Sequence, residues 1–83
     1  MLLQKDYWKK YMIKVICNGE VKETDCRTLL EFLRESGLVT DDPKSLFGFA
    51  VGVNDQVISK KELDQYILRE NDIIEIFTMV AGG

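Results

Sequence analysis

Apolar and polar residues alternate from residue 13 to residue 17, and a period of two predicts a β-strand with one face toward a core. That face carries Ile13, Val15 and Cys17. The Asn18-Gly19 pair follows directly and is typical of a two-residue hairpin turn, because both residues tolerate positive φ. The polar run EVKET at residues 20–24 then predicts a second strand, which we expect at an edge of the sheet.

The spacing of the apolar residues next becomes that of a helix. Thr28 and Glu31 have the spacing of a capping box, in which each side chain bonds the other residue's backbone amide. Gly37 is placed to end the helix in a left-handed conformation. The apolar stripe consists of Leu29, Leu30, Phe32 and Leu33. An amphipathic helix of about two turns is therefore predicted, and its apolar face needs a sheet to cover.

A second pair of strands is predicted after this helix. Residues 40–45, TDDPKS, indicate a loop. The period of two returns over residues 49–53, and Asn54-Asp55 predicts a turn into a short fourth strand at residues 56–58. One face of the third strand carries Phe49, Val51 and Val53, and the other carries the small residues Ala50 and Gly52.

A second capping box, Ser59 with Glu62, predicts about one turn of helix before the last strand. The last strand alternates over residues 73–79, and we expect positive φ at Asn71, which precedes it. The residues assigned to the core are Val15, Leu33, Val51, Val53, Ile74 and Ile76. The order β-β-α-β-β-β predicts an α+β fold, with one mixed sheet packed on one helix.

Phe77 and Met79 fall on the face of the last strand that the helix leaves open. A single exposed apolar residue is common and indicates little. Two that lead directly into the C-terminal residues are more informative, because exposed apolar patches tend to mark interaction sites. We therefore predict that Phe77 and Met79 bind partner proteins.

Length and charge exclude several classes of protein. The chain has 83 residues, enough for one small domain, and a net charge of −3. An acidic chain without a basic stripe argues against a nucleic-acid partner, because that affinity rests on phosphate neutralisation. No apolar run approaches the ~20 residues of a membrane helix. Residues 1–11 make a poor signal peptide, so we expect a cytoplasmic protein with no membrane partner.

The residue types that usually carry catalysis and metal binding are scarce. The sequence has no histidine, the commonest general base and metal ligand. Cys17 and Cys26 lack the four-ligand spacing of a zinc or iron–sulfur site. In the predicted hairpin they lie ~20 Å apart, which is too far for a disulfide. We expect two reduced cysteines that pack as small hydrophobes, with no metal and no cofactor.

Both ends of the sequence differ from the domain between them. Residues 1–11 contain KDYWKKY, which mixes lysines with aromatic residues. One interpretation is a short arm or an upstream translation start, and the other is an extra strand or docking arm that uses Tyr7, Trp8 and Tyr11. The C-terminal end finishes on Gly82-Gly83, although glycine is the weakest residue for ending a folded strand.

The segments IKVICNGE, TLLEFL, FAVGVNDQVI and NDIIEIFTMVAGG, in this order, resemble the ThiS family of sulfur carriers. The resemblance covers residues 12–83. It implies a ubiquitin-like β-grasp domain over residues 12–79 and a flexible tail over residues 80–83. One departure is Asn71-Asp72, which stands where the family usually has Gly-Asp.

The resemblance also implies a role for the tail. The carboxylate of Gly83 would be adenylated by an E1-like adenylyltransferase of the ThiF type and converted to a thiocarboxylate. The thiocarboxylate would give its sulfur to a thiazole synthase of the ThiG type, while Val80, Ala81 and Gly82 thread into the partner. The chain would be a co-substrate, monomeric alone, and not an enzyme. A MoaD-like carrier for molybdopterin synthesis and a β-grasp binding module without carrier function remain alternatives.

Overall fold

The computed structural model describes residues 12–78, which form one five-stranded sheet and one α-helix. The strands are β1 Ile13–Cys17, β2 Glu20–Thr24, β3 Phe49–Val53, β4 Gln56–Ile58 and β5 Ile73–Thr78. The α-helix α1 is Leu29–Glu35, and Pro43–Phe47 and Lys60–Glu62 are 3₁₀ helices. The strand order is β2-β1-β5-β3-β4, with β1 and β5 parallel and the other neighbours antiparallel. This arrangement confirms the predicted element order and the mixed sheet, with β2 at an edge.

The core lies between α1 and one face of the sheet. Of the predicted core residues, those fully buried are Val15, Leu33, Val51, Val53 and Ile74. Ile76 is only half-buried, because β1 pairs with β5 only at Ile73 and Ile74 and the sheet is narrower beyond them. Three further core residues come from connecting segments in which no periodicity identified them: Val39, Leu63 and Leu68.

Local signals fix the turns and the helix ends. The Thr28–Glu31 capping box is present, and Gly37 after the helix has φ 89°. The β1–β2 turn has φ 50° at Asn18 and 86° at Gly19, which is the positive-φ pair that a tight hairpin requires. Positive φ is also found at the residues predicted to turn before β4 and β5: Asn54, Asp55 and Asn71. These turn predictions are confirmed.

Part of the segment predicted as a loop, residues 40–45, is helical in the structure. Residues 43–47 form a 3₁₀ helix, which begins at Pro43, and the side chain of Asp42 accepts a hydrogen bond from the Lys44 amide at 2.9 Å. An N-terminal proline preceded by an aspartate cap favours such a turn, although a run this short carries no apolar periodicity. Among the described residues no helix is long and apolar enough to cross a membrane.

Candidate functional site

The last described strand, β5, lies in the middle of the sheet and leads toward the C-terminal glycines. It pairs with β1 on one side and with β3 on the other. The β3 pairing continues to its last residue, where Thr78 faces Phe49. The predicted site residues Met79, Val80, Ala81, Gly82 and Gly83 lie outside the described residues. The structure therefore defines the strand that carries the tail.

Phe77 is exposed on the open face of the sheet, as predicted. The residue is 56% exposed, and its partner across the strand pair is the small Ala50. Ile73, on the same face of β5, is 50% exposed, and Glu75 lies between the two. The open face of β5 thus presents an apolar surface that ends at Phe77, one residue before the last described residue, with the carboxylate of Glu75 in its middle.

The start of β5 is held by a buried carboxylate. Asp72 is 4% exposed and accepts hydrogen bonds from Asn54 Nδ2 at 3.0 Å, the Arg69 amide at 2.9 Å and Tyr66 OH at 3.3 Å. Asn54 Oδ1 in turn accepts from the Ile73 amide at 2.9 Å. Burial raises the pKa of Tyr66, and the Asp72 charge adds to this, so the phenol remains a donor at neutral pH. The network ties the β3–β4 turn to the first residue of β5.

A second side chain supports β5 where the β1 ladder ends. The backbone amide of Asn18, the first residue of the hairpin turn, donates a hydrogen bond to the Ile74 carbonyl at 3.0 Å. The Asn18 Oδ1 accepts from the Ile76 amide at 2.9 Å. A turn residue thereby replaces the missing ladder bonds. Sequence reasoning identified Asn18 and Asn54 only as turn residues, since nothing local indicates side-chain partners 58 and 18 residues away.

Lys60 lies near the end of the sheet at which β3 begins and β5 ends. Its Nζ donates to the Phe49 carbonyl at 2.8 Å, and the ammonium lies 5.3 Å from the centre of the Phe49 ring. Because Phe49 pairs with Thr78, this contact fixes the strand beside the last described residue of β5. The interaction combines a charge-assisted hydrogen bond with a cation–π contact.

Both cysteines are free, which confirms the expected absence of a disulfide between them. Cys17 is buried in the core, whereas Cys26 lies near Asp25 and Glu35, with ligand atoms within 4.8 Å of one another. Cys26 Sγ donates to Glu35 Oε1 at 3.5 Å, and burial raises the pKa of the Cys26 thiol.

Three comparisons with known proteins agree with each other. The family model of the ThiS family matches residues 12–83. The chain is 32% identical over 66 residues to the sulfur carrier protein ThiS of Thermus thermophilus. This alignment covers 80% of this chain and 94% of that protein. The fold is similar to the crystal structure of the thiamine biosynthesis protein ThiS from Geobacter metallireducens, with a TM-score of 0.67 and 18% identity. That alignment covers 86% of this chain and all of the other.

Proposed function

The chain belongs to the ThiS family, and from this membership we propose that it is a sulfur carrier protein for the thiazole moiety of thiamine. The observation that carries the proposal is the extent of the family match, which runs from residue 12 to the C-terminal Gly83. It includes both the described domain and the Gly-Gly end. We divide the chain into a β-grasp domain, residues 12–79, and a working tail, residues 80–83.

The chemistry proposed for the tail takes place at the carboxylate of Gly83. A free carboxylate is a poor electrophile, so it first attacks the α-phosphorus of ATP, releasing pyrophosphate and forming an acyl-adenylate. A sulfur nucleophile then displaces AMP from the carbonyl carbon and leaves a thiocarboxylate. The soft, ionised sulfur of that group attacks the next acceptor in turn.

Glycine suits both positions at the end of this tail. Residues 80–83 span ~13 Å when extended, at ~3.3 Å per residue, which lets the carboxylate enter an active site while the domain stays outside. Without Cβ atoms, Gly82 and Gly83 pass through a narrow channel and leave the terminal carbonyl open on both faces. A side chain at either position would crowd the tetrahedral intermediates of adenylation and sulfur transfer.

In this proposal the chain is a protein co-substrate and its partners supply the catalysis. Adenylation is assigned to an E1-like adenylyltransferase of the ThiF type, and sulfur acceptance to a thiazole synthase of the ThiG type. The absence of histidine from the sequence is consistent with this division of roles. The carrier alone is expected to be a cytoplasmic monomer that meets these enzymes in turn.

The partner surface is assigned to the open face of β5 where it approaches the tail. Phe77 is the described aromatic residue of that surface, and Met79 is its proposed neighbour two residues on. Central aromatic side chains are the residues that most often dominate binding energy. An enzyme that binds Phe77 would hold the domain six residues before Gly83, within reach of the terminal carboxylate.

Carrier-dependent ATP–pyrophosphate exchange with a ThiF-type enzyme tests the proposal. The full chain should support exchange, and a variant lacking Gly83 should not. The matched control is the urea midpoint of the same variant, which should be unchanged because one terminal glycine buries little area. Equal exchange with and without Gly83 would refute the assigned chemistry.

A further inference from the structure

A cleft opens at the end of the sheet where β1 begins. It has a volume of about 580 Å³, within the usual range of binding pockets. The residues that line it are Ile13, Asp25, Cys26, Arg27, Ile67 and Leu68. In the parallel strands β1 and β5, Ile16 pairs with Ile73. Ile13 lies three residues before this pair on β1, and Thr78 lies five residues after it on β5. At ~3.3 Å per residue, the cleft is therefore ~26 Å from the end of β5. The cleft is therefore distant from Phe77 and from Thr78, the last described residue of β5.

The lining offers three kinds of contact. Its apolar part includes Ile67, a large aliphatic side chain that is 52% exposed although it lies beside the buried Leu68. The guanidinium of Arg27 can stack on an aromatic ring, as arginine often does. The carboxylate of Asp25 can pair with a lysine. An aromatic, lysine-containing peptide matches all three.

The chain itself contains such a peptide, directly attached to the cleft. Residues 1–11 precede the family match, which begins at residue 12. They carry three lysines and one aspartate, which gives this segment a charge of +2. Because the whole chain has a net charge of −3, residues 12–83 together carry −5. An extended chain spans at most ~7 Å over the two residues from Ile13 to position 11 and ~17 Å over the five to position 8, so the cleft is within reach of both Tyr11 and Trp8. Tethering at this distance makes docking intramolecular and gives the segment a high effective concentration.

We propose that residues 7–11 dock in this cleft, with Trp8 and Tyr11 covering Ile67 and Ile13. Docking takes place through side chains and does not extend the β1–β2 ladder. The Cys26 amide, which would face Tyr11 in that ladder, already donates to Thr24 Oγ1 at 3.0 Å. The lysines of the segment then lie on the Asp25 side. The domain thus gains an apolar cover at the end opposite its tail.

Intrinsic fluorescence of the full chain reports directly on this docking, because Trp8 is the one tryptophan of the sequence. The emission maximum should be blue-shifted in the folded protein and acrylamide quenching reduced, relative to the protein in urea. Ile67→Ser should move the emission toward that of the unfolded chain without unfolding the domain. Val57→Ser is the matched control, since Val57 is 79% exposed on the open face, and it should leave the emission unchanged.

Backbone amide chemical shifts of the full-length Trp8→Ser variant provide the second test. The proposal predicts shifts at Ile67 and Leu68, with Ile73 and Phe77 unaffected. Shifts confined to Ile73 and Phe77 would place the segment on the open face and overturn the proposal. So would a solvent-exposed emission in the wild-type protein, or a blue shift that disappears on dilution and thereby indicates binding to a second copy.

Discussion

The side chain of Asn54 joins the β3–β4 turn to the start of β5, and we predict that Asn54→Gly destabilises the domain by about 2–3 kcal/mol. The substitution keeps the backbone conformation, because glycine readily adopts the φ of 52° found there. It removes two hydrogen bonds at once. One is donated to the buried carboxylate of Asp72, and the other is accepted from the Ile73 amide.

The magnitude follows from the type of each bond. A hydrogen bond to a charged group contributes about 1.5–3 kcal/mol, and one between neutral groups about 0.5–1.5 kcal/mol. The two bonds together would contribute about 2–4.5 kcal/mol. Because Asn54 is exposed, a water molecule can replace the hydrogen bond that the Ile73 amide loses, so we expect a cost in the lower half of that range. Asp72 is 4% exposed, and in the variant its remaining donors among residues 12–78 are the Tyr66 hydroxyl and the Arg69 amide.

Urea unfolding with linear extrapolation is the assay, and Asp55→Gly is the matched control. Asp55 lies in the same turn with φ 72°, and its side chain forms no hydrogen bond within residues 12–78. Both variants place glycine at a positive-φ position of the same turn, so any backbone effect is shared and the difference between them isolates the side-chain bonds of Asn54. Equal losses of unfolding free energy in the two variants would refute the role assigned to Asn54.

Three further predictions concern a turn, a helix cap and the partner surface. Asn71→Val should cost about 1–2 kcal/mol in urea unfolding because φ is 70°, whereas Asn71→Gly should be neutral or slightly stabilising; equal effects would contradict this. The Arg27 and Thr28 amides lower the pKa of Glu31, so its stabilisation is present above its unfolded-state pKa and is lost as pH falls through the lowered folded value. Glu31→Gln should therefore reduce the acid sensitivity of unfolding in that window, and an unchanged pH profile would count against it. Phe77→Ala should weaken binding to a ThiF-type enzyme by more than ~1 kcal/mol in titration calorimetry, while Phe47→Ala, at an aromatic residue 71% exposed outside the strands, should not.

Features encoded by neighbouring residues could be predicted from the sequence. The hairpin turn at Asn18-Gly19, the capping box at Thr28 and the left-handed residue at Asn71 each depend on the intrinsic preferences of one to four residues. The exposure of Phe77 followed from the period of two, because Ile74 is buried on the opposite face.

Features that depend on distant partners could not be predicted. Leu63 and Leu68 are buried in segments without periodicity, where only the folded chain decides which apolar residue meets the core. The Asn54–Asp72 hydrogen bond joins residues 18 apart, and neither residue carries a local sign of it. The cleft beside Ile13 likewise forms from three separate stretches of chain.

Mass spectrometry of the C-terminal peptide tests the carrier function most directly. The full chain is incubated with a ThiF-type enzyme, ATP and a sulfur donor, and the same reaction is run with the variant lacking Gly83. The proposal predicts that the wild-type peptide becomes heavier by the exchange of one oxygen for sulfur, and that the variant peptide keeps its mass. A wild-type chain that never gains sulfur, or a variant that gains it equally, would contradict the assignment of Gly83 as the sulfur-carrying residue.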